Sequence, residues 1–295
     1  MELKMFFKGS IVAIVTPYKD GQVDEKSLAD LINWQIEEGS SGIVPCGSTG
    51  ESATLTHDEH ARVINLCVEV VAKRVSVIAG SGSNSTAEAI ELTKIAAKAG
   101  ADAALLLSPY YNKPTQEGIY QHYWAVADAV DIPQFIYNVP GRTASEVSST
   151  TMARLSEHPN IAGLKEAGGD LAKTADTMAM CGPDFTILSG DDALTYPMMA
   201  LGAKGVISVT ANVAPNLIAA LVSAAESGDM AEARRLHFKT RELSNAMFYE
   251  TNPIPVKTAL SAMGRIKAEF RLPLCAMSQI NKEKLQSVLN RMGLV

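Results

Sequence analysis

The chain has 295 residues, of which 47% are hydrophobic and 6% aromatic, a composition typical of a globular protein. Its formal net charge is −6, from 26 Lys and Arg against 32 Asp and Glu, which argues against a general binder of nucleic acid or of an acidic membrane surface.

The apolar run near the N-terminus is broken by Lys8, Gly9 and Pro17. It is too short to span a bilayer, and no signal-peptide cleavage motif follows it. The cysteines form neither a Cys-x-x-Cys pair nor a Cys/His cluster with zinc spacing, and we expect free thiols. We therefore expect a cytoplasmic protein without a metal site or a membrane partner.

Short runs rich in β-branched residues alternate with longer amphipathic stretches along residues 10–228. The predicted strands are 10–17, 42–47, 76–82, 103–109, 133–139, 161–167, 185–190 and 205–212. The predicted helices that follow them are 27–39, 56–74, 85–100, 116–130, 148–159, 170–182, 193–204 and 215–228. Three more helical patterns lie within 230–248, 255–264 and 281–293.

This alternation predicts an α/β fold with a parallel sheet, because continuous apolar strands are typical of sheets covered on both faces. Eight strand–helix units are the number that closes a (β/α)8 TIM barrel, and the length matches. An open, doubly wound sheet is the alternative. We expect the barrel to occupy residues 1–228, and residues 229–295 to form a C-terminal helical extension packed on it.

The barrel prediction also indicates where to expect an active site, because active sites of this fold lie at the C-terminal ends of the strands. The predicted strand ends are rich in glycine and polar residues. They include GSTGES at 47–52, SPYYN at 108–112, YNVPGRT at 137–143, KEAGG at 165–169 and SGDD at 189–192.

Lys165 lies in the otherwise apolar run NIAGLKEA. Burial disfavours the ammonium form, and lowering the pKa from ~10.4 towards ~7 requires about 4–5 kcal/mol. A neutral lysine can attack a carbonyl carbon and form a Schiff base. The alternative is an ordinary lysine that pairs with Glu166 or extends into water, and these residues alone leave both interpretations open.

Four further side chains could serve such chemistry. Ser48 and Thr49 offer hydroxyls in a glycine-bracketed turn, and Tyr137 could relay a proton. Arg142 could bind a carboxylate. Taken singly, each has a plainer interpretation as a turn, a packed tyrosine or a solvated arginine.

The motifs GSTGESATL, SPYYNKPTQEGIYQHY, YNVPGRT, GLKEAGGD and LSGDD, in this order, resemble those of the pyruvate-dependent class I aldolase superfamily. Within it they look like the dihydrodipicolinate synthase family, over essentially the whole chain. The resemblance implies condensation of pyruvate with L-aspartate 4-semialdehyde in lysine and diaminopimelate biosynthesis. It implies a covalent pyruvate imine and no separate cofactor.

The resemblance also implies a site residue by residue. It places the imine on Lys165 and a proton relay on Tyr137, Ser48 and Tyr111, with Tyr111 reaching the neighbouring subunit's site in a homotetramer built from two tight dimers. The substrate contacts that it implies are Thr49 at the pyruvate carboxylate, Arg142 at the semialdehyde carboxylate, and the backbone at Gly190 and Ile207.

One position departs from the family pattern, which usually has threonine where this chain has Ser48. A Ser-Thr pair also resembles the sister N-acetylneuraminate lyases, so a pyruvate-dependent lyase or dehydratase acting on a sugar acid is the alternative. Those lyases generally lack an arginine after the YN-x-P turn, and Arg142 therefore favours the synthase. A non-enzymatic barrel is the third hypothesis.

A second site is indicated around THDEHARV, where Thr56 and Glu59 have the spacing of a helix capping box. The two histidines of this stretch lack a third metal ligand at fixed spacing, and a solvated first turn is the plainer interpretation. The resemblance implies instead a pocket for L-lysine as an inhibitor, in which Glu88 pairs with its ammonium group. The residues that it implies are Ser52, Ala53, His57, His60, Asn84, Glu88 and Tyr110.

Overall fold

A computed structural model describes residues 7–295 and contains a closed barrel of eight parallel strands. The strand order around the barrel is β1-β10-β9-β8-β7-β6-β5-β4. This confirms the predicted (β/α)8 barrel, and the open sheet is wrong. The barrel strands are β1 (Gly9–Ala13), β4 (Gly42–Val44), β5 (Ser76–Gly80), β6 (Ala103–Leu107), β7 (Gln134–Asn138), β8 (Ile161–Glu166), β9 (Thr186–Ser189) and β10 (Gly205–Ser208).

Twelve α-helices lie within the described residues. They are α1 (Glu25–Glu37), α2 (His57–Val71), α3 (Thr86–Ala99), α4 (Gln116–Ala129), α5 (Pro140–Thr143), α6 (Ser149–Leu155), α7 (Leu171–Cys181), α8 (Thr195–Leu201), α9 (Pro215–Glu226), α10 (Met230–Ala246), α11 (Ile254–Ala262) and α12 (Gln279–Arg291). None of these helices combines the length and the apolar composition that crossing a bilayer requires.

Several barrel strands end earlier than predicted, since their apolar continuations leave the ladder and turn at the barrel mouth. β1 ends at Ala13 rather than at residue 17, and β4 ends at Val44. Cys46, within the predicted strand 42–47, has a φ of +55°, which is incompatible with a strand. The pattern of hydrophobicity thus marks burial correctly and overestimates strand length.

A β-hairpin and a single turn of helix are two of the small features that the sequence patterns did not predict. β2 (Tyr18–Lys19) and β3 (Gln22–Val23) form an antiparallel hairpin joined by Asp20-Gly21, both with positive φ. Asp-Gly is a typical two-residue hairpin turn, so the signal was present in the sequence. The other is the single turn α5, which begins at Pro140, a residue whose fixed φ suits a helix start.

The interior of the barrel is filled by a compact apolar cluster that includes Ile11, Ile78, Phe135, Leu188 and Ile207. This cluster forms the floor beneath the strand ends. Larger clusters lie between the strands and the surrounding helices.

Strands β1 and β10 approach closely where the barrel closes. Gly205 has a φ of +146°, and a Cβ there would lie 2.0 Å from the Gly9 carbonyl oxygen. Only glycine allows this contact.

The helices after residue 228 pack on the barrel helices and on each other. α10 contacts α8 and α9, α12 contacts α10 and α11, and α11 contacts the 3-10 turn Thr210–Asn212 that follows β10. We propose on this basis that residues 229–295 form one helical extension of the barrel.

Candidate active site

Lys165 lies on β8 with its side chain directed into the barrel, and only 5% of the residue is exposed. It is in register with Tyr137 on β7, and its Nζ lies 4.0 Å from the centre of the Tyr137 ring. Glu166 points to the opposite face, where its carboxylate accepts two hydrogen bonds from Asn138 Nδ2, at 3.0 and 2.9 Å. Glu166 is therefore not the partner of the Lys165 amine.

Burial lowers the pKa of the Lys165 amine to about 7, the Asp192 carboxylate opposes this shift, and the Arg142 guanidinium adds to it. Asp192 is itself buried and accepts hydrogen bonds from the Ser208 hydroxyl and from the N–H groups of Val209 and Thr210. A large fraction of the Lys165 amine is consequently neutral near pH 7, the form that attacks a carbonyl.

Ser48 and Thr49 lie in a tight turn after β4. The turn is closed by hydrogen bonds from the Gly50 N–H to the Gly47 carbonyl, at 3.0 Å, and from the Glu51 N–H to the Ser48 carbonyl, at 3.2 Å. Thr49 is buried. The turn thus presents two hydroxyl-bearing residues to the barrel mouth.

Burial raises the pKa of the Tyr137 phenol, whereas the Arg142 guanidinium and the Ser48 hydroxyl lower it. Tyr137 therefore stays protonated near pH 7 and can donate a proton. Arg142 lies on α5, and its Nη2 lies 3.4 Å from the Asn252 carbonyl oxygen.

These side chains surround one cavity of about 190 Å³. Six of the predicted active-site residues line it, namely Ser48, Thr49, Tyr137, Arg142, Lys165 and Gly190. At Gly190 an added Cβ would lie 3.0 Å from Lys165 Cε and 2.8 Å from Ala167 Cβ. A larger residue there would press against the lysine side chain.

The other two predicted residues lie elsewhere in this chain. Ile207 is fully buried in the barrel interior, and it is not among the described residues that line the cavity. Tyr111 is 88% exposed, with a φ of +71°.

Sequence reasoning missed Asn252, which lines the cavity and donates from Nδ2 to Thr49 Oγ1 at 2.9 Å. It also missed Phe248, which lines the same cavity. Both lie in the C-terminal extension, and no motif there marks them. Asp191 also lines the cavity, and the SGDD motif contains both it and Asp192.

A second, larger cavity of about 470 Å³ adjoins the first, and Ser48, Tyr137 and Arg142 line both. Six of the seven residues predicted for the inhibitor pocket line it, namely Ser52, Ala53, His57, His60, Glu88 and Tyr110. The seventh, Asn84, lies beside them and donates from Nδ2 to the Tyr110 carbonyl at 3.2 Å.

Two polar side chains contact the carboxylate of Glu88, which lines this cavity. His57 Nε2 lies 3.2 Å from one carboxylate oxygen of Glu88, and the Ser83 hydroxyl donates to the other. His60 is buried, and its Nδ1 has no hydrogen-bond partner among residues 7–295. Burial lowers the pKa of His60, so its imidazole is largely neutral near pH 7.

The capping box predicted at the start of α2 is present. Thr56 Oγ1 accepts from the Glu59 N–H at 3.2 Å, and Glu59 accepts from the Thr56 N–H at 2.9 Å. It fixes the helix start that carries His57 and His60.

The described part of the chain contains no group of three or more His, Cys, Asp or Glu side chains placed to hold a metal ion.

The model of the dihydrodipicolinate synthetase family matches residues 6–292. A protein of Thermodesulfovibrio yellowstonii named 4-hydroxy-tetrahydrodipicolinate synthase is 59% identical over 98% of this chain and 99% of its own length.

Two solved structures are similar along nearly the whole chain. The chloride-inhibited dihydrodipicolinate synthase of Acinetobacter baumannii, complexed with pyruvate, is 49% identical with a TM-score of 0.97, over 98% of this chain and 100% of its own. The enzyme of Cyanidioschyzon merolae with lysine bound is 42% identical with a TM-score of 0.96, over 99% of this chain and 100% of its own. This chain belongs to the dihydrodipicolinate synthetase family.

Proposed function

We propose that the protein catalyses the 4-hydroxy-tetrahydrodipicolinate synthase reaction, in which pyruvate condenses with L-aspartate 4-semialdehyde through an imine on Lys165. The observation that carries this proposal is the buried Lys165 amine, with a pKa of about 7, in a cavity lined by hydroxyls and one guanidinium. The names of the full-length relatives support the same reaction.

In the first half-reaction the neutral Lys165 amine attacks the keto carbon of pyruvate. The resulting carbinolamine loses water, with Tyr137 donating the proton that the departing hydroxyl needs. We assign Thr49 to the pyruvate carboxylate and Ser48 to the proton relay. Since the imine carries the covalent substrate, this scheme needs no separate cofactor.

In the second half-reaction the proton relay removes a proton from the pyruvate methyl group of the imine, the enamine carbon attacks the aldehyde carbon, and the aldehyde oxygen takes up a proton. The amino group of the semialdehyde then attacks the imine carbon, which closes the ring and releases the Lys165 amine. Arg142, which lines both cavities, is placed to bind the semialdehyde carboxylate by a charge-assisted contact. We assign backbone contacts to Gly190, which lines the cavity, and to Ile207 on the adjoining strand β10.

Reductive trapping tests the imine. Pyruvate with borohydride should add the mass of the reduced adduct to the peptide that contains Lys165. Lys165→Ala and Lys165→Arg should abolish the adduct, since arginine stays protonated and cannot form an imine. Undiminished trapping in Lys165→Ala would place the nucleophile elsewhere.

The remaining alternatives are a lyase or dehydratase acting on a sugar acid, and a barrel without enzymatic activity. Arg142 in the cavity favours the synthase. A coupled assay with pyruvate and aspartate semialdehyde, run beside a cleavage assay with N-acetylneuraminate, separates the two enzymes. Trapping without turnover of either substrate would contradict the synthase reaction.

We further propose that L-lysine binds the larger cavity and inhibits the enzyme. Glu88 would pair with the ligand's ammonium group, and Asn84 would hold its carboxylate. Tyr110 is bonded directly to Tyr111, so an occupied cavity can disturb the relay, and coupling of about 1–3 kcal/mol is usual between linked sites. The relative with lysine bound supports this proposal.

Titration of L-lysine against activity tests the pocket, with wild type, Glu88→Ala and Glu91→Ala compared. Glu91 is an exposed glutamate of the same helix α3 and pairs with Lys94, which makes it a matched control. Inhibition should weaken in Glu88→Ala and persist in Glu91→Ala. No effect of millimolar lysine on the wild type would refute the site.

We also propose that the enzyme is cytoplasmic and that it acts as a homotetramer built from two tight dimers.

A further inference from the structure

A buried ion pair joins the turn that carries Ser48 and Thr49 to the C-terminal extension. Lys257 of α11 donates from Nζ to Glu51 Oε1, and both side chains are fully inaccessible to solvent. The Lys257 Nζ also lies 4.2 Å from the centre of the Tyr18 ring and 5.2 Å from that of Phe270. The reaction proposed above does not use this pair.

The pair is unusual because it removes two charges from water with few other partners. Glu51 Oε2 is buried and accepts no hydrogen bond from the described residues. Loss of either member of such a pair leaves an uncompensated buried charge, which is strongly unfavourable. The pair therefore fixes the position of the Glu51 side chain in the fold.

The backbone of Glu51 depends on that anchor. Glu51 has a φ of +54° and a ψ of +37°, a left-handed conformation that is disfavoured for residues other than glycine. In this conformation its N–H donates to the Ser48 carbonyl, and its carbonyl accepts from the Thr54 N–H at 3.0 Å. A relaxed Glu51 would break the hydrogen bond that closes the turn at Ser48.

Glu51 also lies in the stretch of chain that lines both cavities. Ser48 lines both, Thr49 lines the smaller one, and Ser52 lines the larger one. Glu51 itself lines the larger cavity. The ion pair is thus attached to the turn whose residues line both cavities.

We propose that Lys257 is a positioning residue, whose ion pair with Glu51 holds the turn 47–52 so that Ser48 and Thr49 meet the substrate keto acid. The proposal rests on the proposed function, because it assigns those hydroxyls to pyruvate. Lys257 does not touch the substrate and acts through the turn.

The test compares Lys257→Met with Leu155→Ala. Leu155 is a fully buried residue at the end of α6, in a core cluster separate from the one around α11. It controls for a general loss of stability. Two quantities are measured, hydrogen exchange of the peptide 47–54 and the pyruvate concentration that gives half-maximal borohydride trapping on Lys165.

Lys257→Met should speed exchange in 47–54 and raise the half-maximal pyruvate concentration about tenfold, since a carboxylate contact of ordinary strength is lost. Leu155→Ala, at a thermal stability comparable to that of Lys257→Met, should change neither the exchange in 47–54 nor the half-maximal pyruvate concentration. If Lys257→Met does not fold, Lys257→Met with Glu51→Gln, which buries no unpaired charge, replaces it with the same expected changes.

Unchanged exchange, unchanged pyruvate dependence, or equal changes in Leu155→Ala would each overturn the proposal. Faster exchange without any effect on trapping would also overturn it, since the turn would then not position the site. If the wild type does not trap pyruvate, the proposed function fails, and exchange in 47–54 alone decides whether Lys257 holds the turn.

Discussion

Burial of Lys165 lowers the pKa of its amine to about 7 and, by the same physics, destabilises the folded chain. The shift from 10.5 to about 7 is 3.5 pKa units, which corresponds to about 5 kcal/mol. Between these values the unfolded chain binds more protons than the folded chain, so this group's contribution to stability becomes more favourable as pH rises from 7 to 10.5. Below pH 7 the amine is charged in both the folded and the unfolded chain, so its burial lowers the free energy of unfolding by the full amount of about 5 kcal/mol.

Lys165→Met should therefore stabilise the protein most at low pH. At about pH 6 the substitution should raise the free energy of unfolding by up to about 5 kcal/mol, and by only about 1 kcal/mol at about pH 9.5. Denaturant titrations of both proteins at the two pH values measure the difference. A gap that does not shrink as pH rises would show that the Lys165 amine is not desolvated.

Arg142→Ala should affect the second substrate rather than pyruvate. A charge-assisted hydrogen bond to a carboxylate contributes about 1.5–3 kcal/mol, so the KM for aspartate semialdehyde should rise about ten- to hundredfold. Steady-state kinetics with each substrate varied in turn measures this. A raised KM for pyruvate with an unchanged KM for the semialdehyde would refute the assignment.

At the scale of elements, hydrophobic patterns predicted every barrel strand and every helix longer than one turn. They failed at the ends of strands, as at Cys46, because apolar residues stay buried after the backbone leaves the ladder. The strand register places Tyr137 beside Lys165, because the two residues are direct partners on β7 and β8. Asn252 could not be predicted from local pattern, because it reaches Thr49 across 203 residues of chain.

The capping box of α2 offers a test at this scale. Thr56→Ala removes the hydroxyl that accepts the Glu59 N–H and should lower the free energy of unfolding by about 1 kcal/mol. Thr56→Ser keeps the hydroxyl and should lose much less. Denaturant titration at one protein concentration measures both. Equal losses in the two variants would show that the cap does not stabilise α2.

At the scale of the whole molecule, the chain leaves one expected member of the relay outside its own site. Tyr111 is 88% exposed and does not line the cavity that holds Lys165. It follows Tyr110, which lines the larger cavity. This placement fits a residue that completes the site of a second copy. An interface would cover the aromatic ring of Tyr111, and burial of that ring would stabilise the assembly.

Subunit mixing tests this arrangement. Tyr111→Phe should lose the relay hydroxyl and Lys165→Ala the nucleophile, so each homo-oligomer should have little activity. A mixed dimer has one site in which an intact Lys165 meets an intact Tyr111 from the other subunit, and that site should be active. Two differently tagged variants, refolded together and purified for both tags, provide the mixed species.

The expected activity follows from counting sites, because each mixed dimer holds one complete site and one site that lacks both groups. Activity should reach about half that of the wild type per dimer if the two sites work independently. Wild-type subunits carried through the same refolding control for losses in handling. If verified mixed dimers remain as inactive as the two parents, Tyr111 does not act across the subunit contact.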